Sequence, residues 1–392
     1  MVSLTSADSA LKTVYLGVVA NQLNINANPL LAKIKQSAND VWGKEIRKLA
    51  PFGINGGIGA GTETGNLPTA AQNNYVQFVT DLKNLYGKIE ISDKAMRASA
   101  NSAGAFVNLL NSEMEGLIKA STFNFGRMLY GNGSGLLATV SAVDATTHEI
   151  TVDSVRNLIE GMIVDVYSSG VKVAASSGFR ISYVNRTDNT FFLEGFSGTI
   201  VEDDTIYVQN SKDLEITGIG KIFSSSTSLY GLTRANYKWL TPYTKTSAGV
   251  ITDSLIQEAI DTMEEQSGST IDFITCSASV RRLYQDYLAS YRRNIDVMNL
   301  EGGHKAISFN GIPVVVDRFV ESDAMYLLNT KDFTMHQLCD WKWLEGEDGR
   351  IIKQNANTAT YSATLVKYAD LICDHPNGQA KISGIVAATT GA

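Results

Sequence analysis

Six glycines, Gly53, Gly56, Gly57, Gly59, Gly61 and Gly65, fall within thirteen residues of this chain. No packed helix or strand is expected to tolerate that density, because a glycine brings no side chain to bury and loses more backbone freedom on ordering than any other residue. The run is preceded by a hydrophobic segment from Trp42 to Phe52. It is followed by Val76, Phe78, Leu82, Ile89 and Ile91 alternating with Gln77, Lys88 and Glu90. The pattern predicts a long two-stranded hairpin with a glycine-rich tip. Two strands alone cannot bury a core, so the hairpin is expected to lie against something else.

Upstream, 6–23 is modestly amphipathic, and Asn28-Pro29 offers a cap with proline in the first turn of a second short helix. Downstream, Asp93 is a candidate cap. Ala103, Phe106, Val107, Leu110, Met114, Leu117 and Ile118 then keep helical spacings in a run ending near Tyr130, a spine of ~50 Å at 1.5 Å per residue. The segment from Gly131 to Gly135 stops it. The next eighty or so residues carry only strand signals, at Ile150/Val152, Ile163/Val166, Phe179/Ile181/Tyr183, Phe191/Leu193 and Ile206/Val208, which predict a small all-β unit of five or six strands. Mixed α/β texture returns after Trp239 and Pro242. Ser254 to Gln257 has capping-box order, Phe273 to Cys276 reads as a buried strand, and Val280, Leu283, Tyr284, Tyr287, Leu288 and Tyr291 form one helical face. Strands are expected at 312–316 and 326–328, and the tail from Thr358 to Ile385 alternates as β-structure that rejoins the spine.

With 392 residues, 44% of them hydrophobic, the chain is long enough for two or three domains with ample cores. Cys276, Cys339 and Cys373 are isolated and odd in number, which excludes a disulfide framework or a CxxC motif and predicts buried thiols. No apolar run approaches a membrane span, and the N-terminus lacks signal-peptide order, so the expectation is a cytoplasmic start. Of the net charge of −7, the stretch 140–213 carries six negative charges; the remainder is nearly neutral. Neither part has the positive excess that tight DNA binding requires.

No constellation for catalysis emerges. Gly57, Gly59 and Gly61 do not fit Gly-x-Gly-x-x-Gly, there is no P-loop signature, and Gly133 stands where a nucleophile elbow needs serine. His148, His304, His336 and His375 are far apart, without metal-ligand spacing. The adjacent acids Glu264-Glu265 and Asp203-Asp204 and the group from Glu345 to Asp348 read as solvated faces. Arg281 and Arg292 share a helix side if that helix runs through, and with Arg282 and Arg293 they read as a polar face or a subunit contact rather than a nucleic-acid patch.

The order of parts resembles the major capsid protein of tailed bacteriophages, the HK97-like fold. The residues carrying the resemblance are Asn28-Pro29-Leu30-Leu31-Ala32, Gly56-Gly57 with Glu63 and Leu67-Pro68, Ile91-Ser92-Asp93-Lys94-Ala95, the run from Leu129 to Gly135, Asn310-Gly311-Ile312-Pro313-Val314 and the piece from Asp317 to Leu328. It covers most of the chain outside about 138–215. It implies an α+β chain with an N-terminal arm (1–40), an E-loop hairpin (41–92), a P-domain spine helix (93–137), an inserted small all-β domain (138–215), a P-domain connection (216–250), an A-domain (251–345) and a return to the P-domain (346–392).

The implied function is construction of an icosahedral head around double-stranded DNA by pentamers and hexamers of this chain, assembled in the host cytoplasm, with portal, scaffolding and decoration proteins as further partners. No cofactor, metal, membrane or catalytic residue is implied. Assembly contacts are assigned to Gly56, Gly57, Gly59, Gly61, Glu63, Arg281 and Arg292. No large charged helical segment precedes Asn28, so a separate scaffold is expected. An encapsulin-type nanocompartment shell shares the fold and stands as the alternative, and a secreted β-rich carbohydrate-binding protein or enzyme is the rival from another class.

Overall fold

The computed structural model describes residues 28–94, 103–173, 178–196, 198–290, 297–299, 305–346 and 349–387. The amphipathic stretch 6–23 lies outside them. Asn28 is buried, and its side-chain oxygen accepts from the Leu30 amide, but a 3-10 turn (Leu31–Lys33) follows instead of an α-helix. A short strand β1 (Lys35–Ser37) comes next. The hairpin then comprises β2 (Val41–Trp42), β3 (Glu45–Phe52) and β4 (Asn74–Asp81), with β3 and β4 antiparallel from Glu45↔Asp81 to Phe52↔Asn74.

The second arm of the expected hairpin divides in two. β5 (Lys83–Ser92) leaves at Leu82 for another sheet, and the buried apolar phase slips from the even positions Val76 and Phe78 to the odd positions Leu85 and Ile89. A one-residue slip turns side chains to the opposite face, so one continuous strand could not bury both sets.

The spine is α1 (Ala103–Tyr130), 28 residues and about 42 Å long. Met114, Ile118, Phe125 and Leu129 are buried in one cluster with Leu85 and Ile89. The side chains of Phe106 and Leu110 lie outside the described residues; Leu117 is partly buried against this cluster.

Seven consecutive strands follow: β6 (Leu136–Val143), β7 (Ile150–Val152), β8 (Ile163–Ser168), β9 (Val171–Lys172), β10 (Phe179–Asn185), β11 (Thr190–Glu194) and β12 (Thr205–Val208). Their order is β10-β11-β7-β6-β12-β8-β9, and β10 also pairs with β8 through Phe179↔Val164. Six strands therefore close into an antiparallel barrel, with β9 as an appendage to β8. Closure removes the free edges that an open sheet of this size would expose. Val152, Val164, Val166, Ile181, Phe191, Leu193 and Ile206 are buried.

The chain then forms α2 (Ile219–Ile222), a small ribbon of β13 (Ser228–Leu229) and β14 (Leu232–Thr233), β15 (Tyr243–Lys245) and β16 (Gly249–Val250). In α3 (Asp253–Ser267) the cap is Thr252, whose hydroxyl accepts from the Leu255 amide at 3.1 Å, rather than Ser254. β17 (Phe273–Cys276), α4 (Ala278–Ser290), β18 (Val297–Asn299), β19 (Lys305–Phe309), β20 (Ile312–Val316) and β21 (Met325–Leu328) follow.

The next strand, β22 (Phe333–Trp343), belongs to a different sheet, and so do β23 (Lys353–Gln354) and β24 (Thr360–Cys373). β25 (Ala380–Ile382) returns, and β26 (Ile385–Val386) pairs with β16. One sheet thus runs β15-β25-β21-β17-β20-β19-β18, with α3 and α4 packed on one face through Ile256, Met263, Val280 and Tyr284. The 251–345 stretch is accordingly not closed on itself: it gives up β22 and is extended on one side by 380–382 and then, as the edge, by 243–245. The body sheet sets β24 between β22 and β5, and β1 lies parallel to β22.

Candidate assembly surface

Alternation divides the hairpin into two unlike faces. Ile46, Ala50, Val76 and Phe78 point inward and form a cluster with Leu229, Tyr230, Leu240 and Ile372. Phe78 lies 5.2 Å from Tyr230 and 5.7 Å from Trp239, and Phe52 lies 5.9 Å from Tyr237 and 6.3 Å from Trp239, so five aromatic rings clamp the hairpin against the segment 228–240. The opposite face carries Leu49 (65% exposed) and Tyr75, and Trp42 (69%) stands opposite Glu45 on the same side.

Beyond the strands, 53–73 forms the tip, whose single charged residue is Glu63 and whose Ile54, Ile58 and Leu67 (89%) are exposed. Its two arms run side by side without a ladder. A Cβ on Gly57 would lie 3.1 Å from the Ala71 nitrogen, and one on Gly59 would lie 3.2 Å from Pro68. These glycines thus allow close approach between the arms, which adds to the flexibility expected of the run. Gly56 faces Ala71 and Gly61 faces Asn66 at ordinary contact distance, and Glu63 sits exposed in the turn closed by the Gly65 amide on the Thr62 carbonyl.

Polar contacts fix the hairpin base. Asp370 on β24 is fully buried and accepts from the Thr80 hydroxyl (2.6 Å), the Thr217 amide (2.6 Å) and the Thr217 hydroxyl (3.0 Å). Burial raises its carboxyl above the usual range, against the pull of those three donors. Lys48 on the inner face donates to Asp374 at 2.7 Å. The sequence reading missed this hinge; its signal was hydroxyl and carboxylate residues embedded in alternating apolar strands.

Arg281 is half-buried at the start of α4, and Arg292 lies outside the described residues. Cys276 and Cys373 are buried, with the Cys276 thiol pushed up to about 12 and that of Cys373 raised well above its usual value, both by desolvation; Cys339 is half-buried. No group of His, Cys, Asp and Glu with metal-holding geometry occurs among the described residues. His304 lies outside them.

At the neck between α1 and the barrel, Arg127 binds Glu215 through two bonds of 2.9 and 2.5 Å, with both side chains only 3% exposed. The outgoing and returning segments meet where the Asp213 amide donates to the Ser134 carbonyl at 2.7 Å.

No family model matches the sequence, and no curated protein is similar to it. Among solved structures, a chain of the cyanophage A-1(L) capsid asymmetric unit is similar with a TM-score of 0.55 at 12% identity, over 95% of this chain and 94% of that one. The fold is therefore that of a phage capsid protein. The native GTA particle capsid (TM-score 0.45, 11% identity, 92% of this chain and 91% of that one) and the holo-SrpI encapsulin complex from Synechococcus elongatus (TM-score 0.43, 8% identity, 82% and 81%) are more distant.

Proposed function

From a capsid-protein fold, we propose that this chain is the structural major capsid protein of a tailed phage and builds an icosahedral shell enclosing double-stranded DNA. The observation that carries the reading is the hairpin: its inner face is satisfied within the chain, while Trp42, Leu49, Tyr75 and the tip residues Ile54, Ile58 and Leu67 are left in solvent. Apolar surface on a projecting element is a mark of contact with another molecule, and in a closed shell each copy supplies the cover for its neighbour. In HK97-like terms β2 to β4 form the E-loop, α1 with the β22-β24-β5 sheet the P-domain, the sheet carrying α3 and α4 the A-domain, and the barrel an inserted domain. The role is non-enzymatic, the site is the virion, and assembly takes place in the host cytoplasm. Gly56, Gly57, Gly59, Gly61 and Glu63 belong to the contact surface as the tip that a neighbour orders.

Electron microscopy of the purified protein tests the proposal. Uniform closed icosahedral particles are expected, and a protein that stays monomeric at high concentration would overturn it. Particles from producing cells are expected to hold DNA; a copurifying enzyme cargo in its place would point to an encapsulin-type shell.

A further inference from the structure

His336 sits on β22 at 1% exposure, and β1 runs beside it in parallel register, Ser37 opposite His336. Its Nδ1 is 2.9 Å from the Asn39 carbonyl oxygen. A carbonyl only accepts, so Nδ1 carries the proton and the neutral ring leaves Nε2 bare. Nε2 is buried and has no hydrogen-bond partner among the described residues. A second proton on this ring would therefore sit at a buried nitrogen with no acceptor in place.

We propose that His336 is an acid-sensitive pin: charging its ring releases β1 and the turn after it (35–40) from the body sheet while β2, held by β3, and the rest of the chain stay folded. β1 itself is a short ladder between the buried anchors Leu30, Leu31 and Ile34 on one side and the Arg47 amide bond to the Asp40 carbonyl on the other. Its pairing spans Lys35↔Thr334 to Ser37↔His336, and none of its residues is buried.

The charged groups around the ring come from three directions. Lys48 reaches it from β3, Asp40 from the turn after β1, and Asp374 from beyond the end of β24. Asp370, its cross-strand partner, is engaged by Thr80 and Thr217. The hydrogen bond to the Asn39 carbonyl, and after it the carboxylates Asp40 and Asp374, favour a charged ring, so the charge acts against the fold through the desolvated Nε2 and not through Nδ1. Burial and the Lys48 ammonium oppose charging, and burial is the largest effect, so the ring titrates below an ordinary histidine. A base whose folded pKa is depressed contributes stability that is present above about 6.5 and is lost as pH falls through the folded value.

Hydrogen exchange of full-length free subunits between pH 7.5 and 5.0, normalised for the intrinsic rate, is the test. Peptides covering 35–40 are expected to lose at least tenfold protection with a midpoint below about 6.5, while β17 and β21 keep theirs. His336→Asn, whose amide nitrogen takes the place of Nδ1 and does not titrate, is expected to hold protection down to pH 5.0. Asp40 has a φ of 65°, a conformation asparagine adopts readily, so Asp40→Asn folds and is expected to shift the midpoint to lower pH. Unchanged protection in the native chain, simultaneous loss in every sheet, an unmoved midpoint in Asp40→Asn or an acid loss persisting in His336→Asn would each overturn the pin.

Discussion

Where α2 meets the end of the spine, two residues without side chains decide how closely backbone approaches backbone. A Cβ on Gly218 would collide with the carbonyl oxygens of Met128, Leu129 and Gly131, and one on Gly220 would stand 2.6 Å from the Tyr130 carbonyl. Backbone cannot rotate aside as a long side chain does. Gly218→Ala is therefore expected to destabilise by about 1–3 kcal/mol or more, read as a lowered thermal midpoint. Lys367 makes a contrasting case. It is fully buried, donates to Asp340 at 2.8 Å and lies 5.7 Å from the Phe125 ring and 5.8 Å from that of Trp341, and desolvation lowers its pKa. An ammonium with a depressed folded pKa is a burden at neutral pH that eases as pH rises toward the unfolded value. Because Asp340 is partly exposed, Lys367→Met is expected to leave stability at pH 7 within about 1 kcal/mol of the native chain and to flatten its rise with pH on the alkaline side. Denaturant titrations at pH 7 and 9 measure both effects.

Among the elements, α1 sends Met114, Ile118, Phe123, Phe125 and Leu129 into the largest buried cluster of the described residues. Leu129→Ala, at 1% exposure, is expected to cost about 2–5 kcal/mol through lost burial and a residual cavity, again read by thermal unfolding. The outer face of the hairpin has the opposite character: Leu49→Asp is expected to leave the free subunit's thermal midpoint within a degree or two and to reduce particle yield sharply, as counted by microscopy. Local alternation and helical period made the hairpin arms, the spine and the strands of the barrel legible in the sequence, because each depends on residues a few positions apart. Pairing between distant segments was not legible. Nothing in 333–343 distinguishes a strand bound for β24 from one bound for β21, and the division at Leu82 left only a slip of phase. The aromatic clamp of Tyr230, Tyr237 and Trp239 and the hinge at Asp370 arise from tertiary contact, and no spacing announces them.

Over the whole molecule, two sheets and a barrel share one core. Phe123 and Phe125 of α1, Leu137 and Val140 of β6, Val315 of β20 and Leu365 of β24 belong to a single buried cluster, so the barrel is packed onto the body as well as joined to it. Residues 138–215 expressed alone are nonetheless expected to give dispersed amide resonances, because ring closure satisfies the strand ladders internally; a collapsed spectrum would refute a self-sufficient fold.

The neck has a consequence for how such a chain diversifies. The polypeptide departs and comes back at neighbouring points, Ser134 and Asp213, beneath a buried Arg127–Glu215 clasp. A module whose own ends lie side by side could occupy that socket without altering the register of a body strand, provided its base covers the apolar surface of the body cluster that the barrel now buries. The barrel is in this sense a replaceable fitting, and the same position offers a graft point for a foreign domain.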